Sequence, residues 1–163
     1  MGFHQHFRAV PPDELVVEAG WLAEFMLAAW RRFQEEYAAG VANAFEKDFD
    51  LHARLYTGGA DLDENDSDVR TLPVYGGDPV FPESGEPPFL VMPPEQVART
   101  AEYLAGADFD ALWAVAGERI RLSSGDGDMA QEKAYRLGEH RDLTEFYGRA
   151  AAAGHAVVKA FRF

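Results

Sequence analysis

The chain has 163 residues, the length of one domain, and 47% of them are hydrophobic, so it can bury a core without covalent staples. It contains no cysteine, which excludes disulfides, thiol nucleophiles and thiolate zinc sites and is typical of the reducing cytoplasm. Its formal net charge of −13 disfavours nucleic-acid and anionic membrane partners, and no segment has the ~18 uninterrupted apolar residues of a membrane span, so we expect a cytoplasmic protein that binds neither.

The N-terminal third predicts one strand and a pair of helices. Residues 3–10 alternate apolar and polar side chains, which predicts a short strand that ends at a proline pair. A short helix can begin in residues 13–19. Apolar side chains spaced three and four apart then predict a longer helix that Gly40 closes: Trp21, Leu22, Phe25, Met26, Ala29, Trp30, Phe33 and Tyr37. A second helix over residues 41–56 completes a helical hairpin.

Residues 57–94 form a long connection rich in proline, glycine and acidic side chains. Seven of the nine prolines lie in it, and over residues 57–86 eight carboxylates accompany a single arginine, which places seven of the 13 net negative charges there. Short strands are predicted at residues 72–75 and 89–92. Because apolar residues recur along the connection, we expect it to be ordered.

The C-terminal half predicts three helices and a closing strand. A proline pair opens a helix over residues 93–105, and a second helix covers residues 109–116. The apolar side chains in residues 120–122 fit either a brief strand or the end of that helix. Asp128 can cap a long third helix, which a glycine stops before an alternating strand at residues 155–163.

These elements predict an α+β fold in one domain over residues 1–163. We expect a small mixed sheet that contains both terminal strands, with helices packed against it. The acidic Pro/Gly-rich connection is expected to lie over one end of the sheet.

His52 is the most informative polar residue, because it lies among aromatic side chains on one face of a predicted helix. Phe45, Phe49 and Tyr56 share that face, and a glycine pair ends the helix before the acidic connection. The ordinary pKa of histidine suits a general base or a ligand at a pocket floor. We favour the alternative, a structural histidine bonded to the loop that follows, because no second residue with a nucleophile role is identifiable. The candidate pocket residues are His52, Phe49, Tyr56, Thr57, Gly76 and Gly77.

Two motifs resemble fragments of metal sites, and neither is complete. His4 and His6 lie two apart on a strand, so both imidazoles face one way as zinc ligands must, but the sequence points to no third ligand. Residues 61–65 copy the first, third and fifth ligands of a calcium loop, whereas Asp66 replaces its glycine and Leu72 its closing glutamate. We therefore expect no metal site and no cofactor.

Residues 125–130 match a relaxed dinucleotide-binding pattern before a helix. Asp126 and Asp128 would aim carboxylates at a pyrophosphate, so we interpret the pattern as a turn with an aspartate cap. The serines include no nucleophile elbow, so serine hydrolase chemistry has no support. They are Ser67, Ser84, Ser123 and Ser124.

Segments along the whole chain resemble the YfbM-like family, bacterial proteins with a domain of unknown function. The similar segments are residues 1–2, 51–52, 55–58, 76–77, 93–97, 146–147, 150–151, 154 and 156–158. The chain departs from the family at Phe49, where members often have tryptophan, and at His4 and His6, which members lack. The resemblance implies a single domain of mixed α and β structure and implies no activity.

Two functions remain open at this point. The first is a non-catalytic binding protein whose acidic face meets a basic protein partner, in the manner of an immunity or antitoxin protein. That face consists of Asp61, Asp63, Glu64, Asp66 and Asp68, whose carboxylates we expect to be solvated and unpaired. The second is a small-molecule binder or minor hydrolase with a cleft between His52 and the Gly76–Gly77 turn. We favour the first, which is not an enzyme.

Overall fold

The computed structural model describes residues 3–46, 48–59, 68–125 and 127–162, and five strands in these ranges form one sheet. The strands are β1 (His4–Val10), β2 (Ala42–Phe45), β3 (Asp78–Val80), β4 (Phe89–Met92) and β5 (Ala156–Arg162). Their order is β2-β1-β5-β4-β3, so both terminal strands are in the sheet and the α+β fold is confirmed. Every described pairing is antiparallel, whereas we expected a mixed sheet. The chain leaves β4 and enters β5 at the same end, where Met92 pairs with Val157, so no crossover is needed.

Seven helices lie in the described ranges. They are α1 (Ala19–Arg31), α2 (Phe33–Ala38), α3 (Phe49–Thr57), α4 (Leu72–Tyr75), α5 (Pro94–Gly106), α6 (Phe109–Ser124) and α7 (Met129–Ala152). Alternate side chains of β5 explain how the helices pack on both faces of the sheet. Val157 packs with Phe146 and Tyr147 of α7, whereas Val158 packs with Leu22 and Met26 of α1.

The N-terminal prediction is correct for the strand and only partly for the helices. β1 pairs with β5 over its whole length, from His4 to Val10. A turn at residues 12–14 replaces the short helix expected over residues 13–19. The long amphipathic helix is present but breaks at Arg32, whose backbone leaves the helical region.

Residues 41–56 do not form one helix. Ala42–Phe45 instead form β2, which pairs with β1, and α3 starts at Phe49. The apolar spacing of this segment is compatible with either structure, and pairing with β1 decides for the strand because it satisfies backbone groups of both strands. Phe45 packs edge-on against Phe7, 5.4 Å between ring centroids.

The long connection contains more structure than the sequence predicts. Residues 72–75 form the short helix α4 instead of a strand, with Pro73 in its first turn. β4 is confirmed, and it pairs with β3, a three-residue edge strand that the sequence did not reveal. Pro79 in β3 cannot donate a backbone hydrogen bond, as is usual for proline in an edge strand.

The C-terminal half agrees with the sequence closely. Pro94 opens α5, and Asp128 caps α7 by accepting a 2.9 Å hydrogen bond from the Ala130 amide. α6 continues through Ile120, which is fully buried, so residues 120–122 belong to the helix and not to a strand.

Candidate functional site

His52 lies inside the protein and not at the floor of a cleft. Its side chain is fully buried, and its Nε2 lies 3.0 Å from the Tyr56 hydroxyl. The same hydroxyl lies 2.9 Å from Nδ1 of His140 on α7. The Phe45 ring covers the imidazole at 4.6 Å between centroids. His52 is thus a buried residue, as we favoured, but it bonds Tyr56 and contacts α7, whereas we expected the loop after α3.

A cluster of charged side chains adjoins this histidine. Nδ1 of His52 lies 3.4 Å from a carboxylate oxygen of Glu139, which also accepts a 3.2 Å hydrogen bond from Arg136. Arg136 is almost completely buried and also binds Asp48 and Glu132. Burial lowers the pKa of His52 although Glu139 opposes the shift, so the imidazole is neutral near pH 7.

The structure separates the predicted pocket residues. Gly76 and Gly77 line a cleft of about 700 Å³, which we call the glycine-turn cleft. Tyr56 and Thr57 line a different cavity of about 460 Å³, beside α5 and α6. His52 lines neither cavity. Phe49 reaches the glycine-turn cleft indirectly, because its ring contacts two rings of the lining, Tyr75 at 6.2 Å and Phe161 at 5.4 Å.

Both glycines of the Gly76–Gly77 turn are required by the backbone. A Cβ at Gly76 would lie 2.5 Å from Cα of Leu72, so no larger residue fits against α4. Gly77 has a φ of 123°, and a Cβ there would lie 3.0 Å from the backbone nitrogen of Val91. The glycine pair therefore lets the chain pass from α4 into β3 in close contact with β4.

A third cavity, of about 380 Å³, combines aromatic rings with carboxylates, and the sequence did not predict it. It lies between α1, α2, β2 and α7, and we call it the aromatic–acidic pocket. Its rings are those of His4, Trp30, Phe33, Tyr37, Phe45 and Tyr135, and its carboxylates are those of Glu46, Glu139 and Asp142. Trp30, Tyr37 and Tyr135 are each 43% exposed, which is high for such large side chains.

The aromatic–acidic pocket is negative, and its rings already attract guanidinium groups. The Tyr37 hydroxyl donates a 2.6 Å hydrogen bond to Asp142, which raises the pKa of Tyr37 to about 12. Arg162 lies 5.7 Å from the ring centre of Trp30, and Arg136 lies 5.2 Å from that of Tyr135. No lysine or arginine is among the described residues that line the pocket itself.

His4 and His6 lie beside aromatic rings of α1 and α2. His6 is fully buried and packs edge-on against Phe33, 5.1 Å between centroids, and neither of its nitrogens has a hydrogen-bond partner among the described residues. Burial, with a smaller effect of Arg162, lowers the pKa of His6 to about 4. Within the described ranges no group of three or more metal-ligating side chains is close enough to hold a metal ion.

The predicted acidic face is described at one residue only. Asp61, Asp63, Glu64 and Asp66 lie outside the described residues. Asp68 accepts a 2.8 Å hydrogen bond from Arg70, which lowers the pKa of the aspartate to about 2. This carboxylate is therefore paired, whereas we expected it to be solvated and free.

The aspartate cap expected in residues 125–130 is present at Asp128, whereas Asp126 lies outside the described residues. Gly125 has a φ of 77° and ends α6, and Asp128 caps α7 as expected. The hydroxyl of Ser123 donates to the Arg119 carbonyl at 3.0 Å, and that of Ser84 donates to Glu86 at 3.3 Å. Ser123 also accepts a 3.2 Å hydrogen bond from Arg54 of α3, and no histidine is among the described partners of these two serines.

A buried lysine lies between the sheet and α4. Lys159 is fully buried, and its ammonium donates to the carbonyls of Leu72, Val74 and Pro73 at 2.7, 3.2 and 3.3 Å. Burial lowers the pKa of Lys159 well below its usual range. Because its acceptors are the last carbonyls of a helix, the lysine fixes α4 on the sheet.

In the described part of the chain, no helix is long and apolar enough to cross a membrane. A search of curated proteins returned no match.

Comparison with known proteins supports the resemblance found in the sequence. The fold is similar to the crystal structure of YfbM from Escherichia coli, a protein of unknown function. The TM-score is 0.63 at 13% identity, over 97% of this chain and 99% of that one. A family model for a domain of unknown function, DUF1877, matches residues 1–159. The chain therefore belongs to the DUF1877 family.

Proposed function

We propose that the protein is a non-catalytic binding module that receives a basic side chain of a protein partner in the aromatic–acidic pocket. The observation that carries this proposal is the combination of three half-exposed aromatic rings with three carboxylates around one cavity. A cation over an aromatic ring gains roughly 0.5 to 2 kcal/mol, more where water is excluded. Carboxylates beside the ring supply hydrogen-bond acceptors for the same cation.

The geometry favours arginine over lysine as the inserted side chain. Arg162 already lies beside Trp30, so this ring accepts a guanidinium in the folded protein. A planar guanidinium can stack on a ring and bond a carboxylate in the same plane, whereas an ammonium is a compact point charge. Glu46 and Asp142 are both exposed and line the pocket, so they can meet its N–H groups.

The net charge of the chain supports a basic partner. A formal charge of −13 attracts positively charged surfaces and raises their encounter rate. The carboxylates of Asp61, Asp63, Glu64 and Asp66 are proposed to add to this attraction. Salt is expected to weaken the association, since the screening length is about 8 Å at physiological ionic strength.

The test compares two probes of nearly the same shape, N-acetyl-arginine methylamide and its neutral citrulline analogue, in which a carbonyl oxygen replaces one NH2 group of the guanidinium. NMR titration is expected to shift the indole N–H signal of Trp30 with the arginine compound and not with the citrulline compound. The variant E46Q/D142N should weaken arginine binding by roughly fivefold or more. Equal responses to the two probes would contradict the proposal.

The matched control is E95Q/E102Q, which removes two exposed carboxylates from α5. It changes the net charge by the same amount and leaves the pocket intact. Its arginine binding is expected to stay within about twofold of the original, because distant exposed charges are screened. Equal losses in both variants would show that net charge, and not the pocket, binds the probe.

A further inference from the structure

The glycine-turn cleft has the size and lining of a small-molecule site. Its volume of about 700 Å³ lies within the range of roughly 300 to 1,000 Å³ that ligand pockets occupy. The walls are mainly apolar, with Phe3, Phe161 and Pro88 among the lining residues. Phe81 stands at the rim with 69% of its side chain exposed. Such a large exposed ring beside an apolar cleft is available to cover a bound molecule.

One polar atom beside the cleft lacks a partner. Gln96, in the first turn of α5, lines the cleft, and its Oε1 is buried without a hydrogen-bond partner among the described residues. A buried carbonyl oxygen without a donor is costly, and such atoms are uncommon in folded proteins. Rotation of the Gln96 side chain would turn this oxygen into the cleft, where an N–H or O–H group of a ligand would supply the missing donor.

We propose that the cleft binds a flat aromatic molecule that carries a neutral N–H or O–H donor, with the donor on Gln96 and the ring between Phe81 and Phe161. The apolar walls select a ring. The buried amide oxygen selects a donor, and a neutral one, because a charged group would lose more hydration there. This site is separate from the aromatic–acidic pocket, with which it shares no lining residue.

Indole and benzofuran form a matched pair of probes, because they have the same shape and only indole has an N–H donor. Titration followed by protein NMR should show saturable shifts of the Gly76 and Gly77 amides with indole. Indole is expected to bind roughly five- to tenfold more tightly than benzofuran, the effect of one net hydrogen bond. Equal affinities, or no saturable binding of indole, would overturn the proposal.

Two variants locate the ligand. Gln96→Met keeps the length of the side chain and removes the acceptor, so it should reduce indole affinity to that of benzofuran. Its thermal stability should stay equal or rise, because an unpaired buried group is lost. Phe81→Ala should weaken both probes. Unchanged indole binding in Gln96→Met would overturn the assignment.

Matched controls distinguish binding in the cleft from effects that a similar substitution elsewhere would have. Gln131→Met makes the same change at an exposed position of α7, and Leu122→Ala removes a side chain that is 70% exposed on α6. Both are expected to bind indole as the original protein does. The variant E46Q/D142N should also keep indole binding, and a loss there would move the ligand to the aromatic–acidic pocket and refute this site.

Discussion

Tyr56 joins two buried histidines through a single hydroxyl group. The hydroxyl has one proton, so it donates to one imidazole and accepts from a protonated nitrogen of the other. His52 and His140 therefore depend on each other for their tautomers, although they belong to different helices. This chain of hydrogen bonds connects α3 with α7 inside the core.

Replacing His52 by Ala is expected to destabilise the protein strongly. The change opens a cavity beside Phe45 and removes a partner of the Tyr56 hydroxyl. We expect the free energy of unfolding to fall by on the order of 2 to 4 kcal/mol. Urea denaturation measures this loss.

Tyr56→Phe serves as the control for the histidine variant, because it removes the hydroxyl and keeps the ring. It should cost about 1 to 2 kcal/mol. A His52→Ala variant that unfolds at the same urea concentration as the original protein would contradict the structural role of this histidine.

Stability is expected to fall as the pH decreases from about 6.5 to about 4. Burial lowers the pKa of His6 and of His140 to about 4, whereas unfolded histidine titrates near 6.5. Between these values the unfolded chain binds protons that the folded chain does not, so each histidine contributes a slope of up to about 1.4 kcal/mol per pH unit. Asp68 titrates below this window, since Arg70 lowers its pKa to about 2.

His6→Leu tests the origin of this slope. The variant removes one of the buried histidines, and its nitrogens leave no partner unbonded among the described residues. The unfolding free energy, measured by urea denaturation from pH 7 to pH 4, should decrease less steeply than in the original protein. Parallel curves would show that His6 does not titrate in this range.

At the scale of elements, α4 is held by side chains from other parts of the chain. Its four residues are too few to be stable alone. Lys159 binds three of its carbonyls, Gln5 binds the Val74 carbonyl at 2.7 Å, and Tyr147 binds the Pro73 carbonyl at 2.9 Å. The helix in turn positions the glycine pair and one wall of the glycine-turn cleft.

Replacing Lys159 by Met should loosen α4. Met fills a similar volume but offers no donor, so the carbonyls lose hydrogen bonds inside the core. We expect a loss of about 1 to 3 kcal/mol in unfolding free energy, with faster hydrogen exchange of the α4 amides. Lys133→Met, at a half-exposed lysine paired with Asp110, should change stability by less than about 0.5 kcal/mol. Equal effects of the two changes would contradict the role of Lys159.

The sequence predicts those elements whose signals are local. The long helices α5, α6 and α7 have apolar periodicity, proline openings or an aspartate cap, and all three form, although α6 extends beyond its predicted end at residue 116 to Ser124. β2, β3 and α4 have no decisive local pattern, because each forms only where a neighbour satisfies its backbone. The prediction of a helix over residues 41–56 was therefore wrong for Ala42–Phe45, which form β2.

The candidate sites also differ in whether a local sequence signal reveals their residues. Gly76 and Gly77 could be selected from sequence because a glycine pair indicates a tight turn, and they do line a cleft. Trp30, Phe33 and Tyr37 served only to predict a helix, since periodicity does not reveal which face of a helix is covered. Only the folded structure, in which β2 and α7 lie next to these rings, shows that carboxylates border them. No local signal could have placed Glu139 or Asp142 beside them.

At the scale of the molecule, the two proposed sites share no lining residue. The aromatic–acidic pocket adjoins β2 and the glycine-turn cleft adjoins β3, although the two linings come close at the consecutive residues His4 and Phe3. The substitutions that test the sites, at Glu46 and Asp142 in the pocket and at Gln96 and Phe81 in the cleft, are at other positions. Substitutions that share no partner usually have independent effects. Each site can therefore be tested without disturbing the other.

The acidic segment, residues 61–66 of the predicted acidic face, is expected to speed the association of a basic partner captured from cell extract. Changing Asp61, Asp63, Glu64 and Asp66 to Asn or Gln should lower the association rate and its salt dependence, because a local field of one sign steers opposite charges. The dissociation rate should change little. Asp68 is kept, because its pairing with Arg70 already neutralises it.

The control removes four exposed carboxylates from elsewhere, at Asp13, Glu14, Glu95 and Glu102. Both variants reduce the net negative charge by the same four units, so only a local effect can separate them. If the segment steers the partner, stopped-flow rates at low salt will fall more in the first variant, and the difference will shrink as salt shortens the screening length. Equal rates in the two variants would show that net charge alone accounts for the attraction. The segment would then serve only to keep the protein soluble.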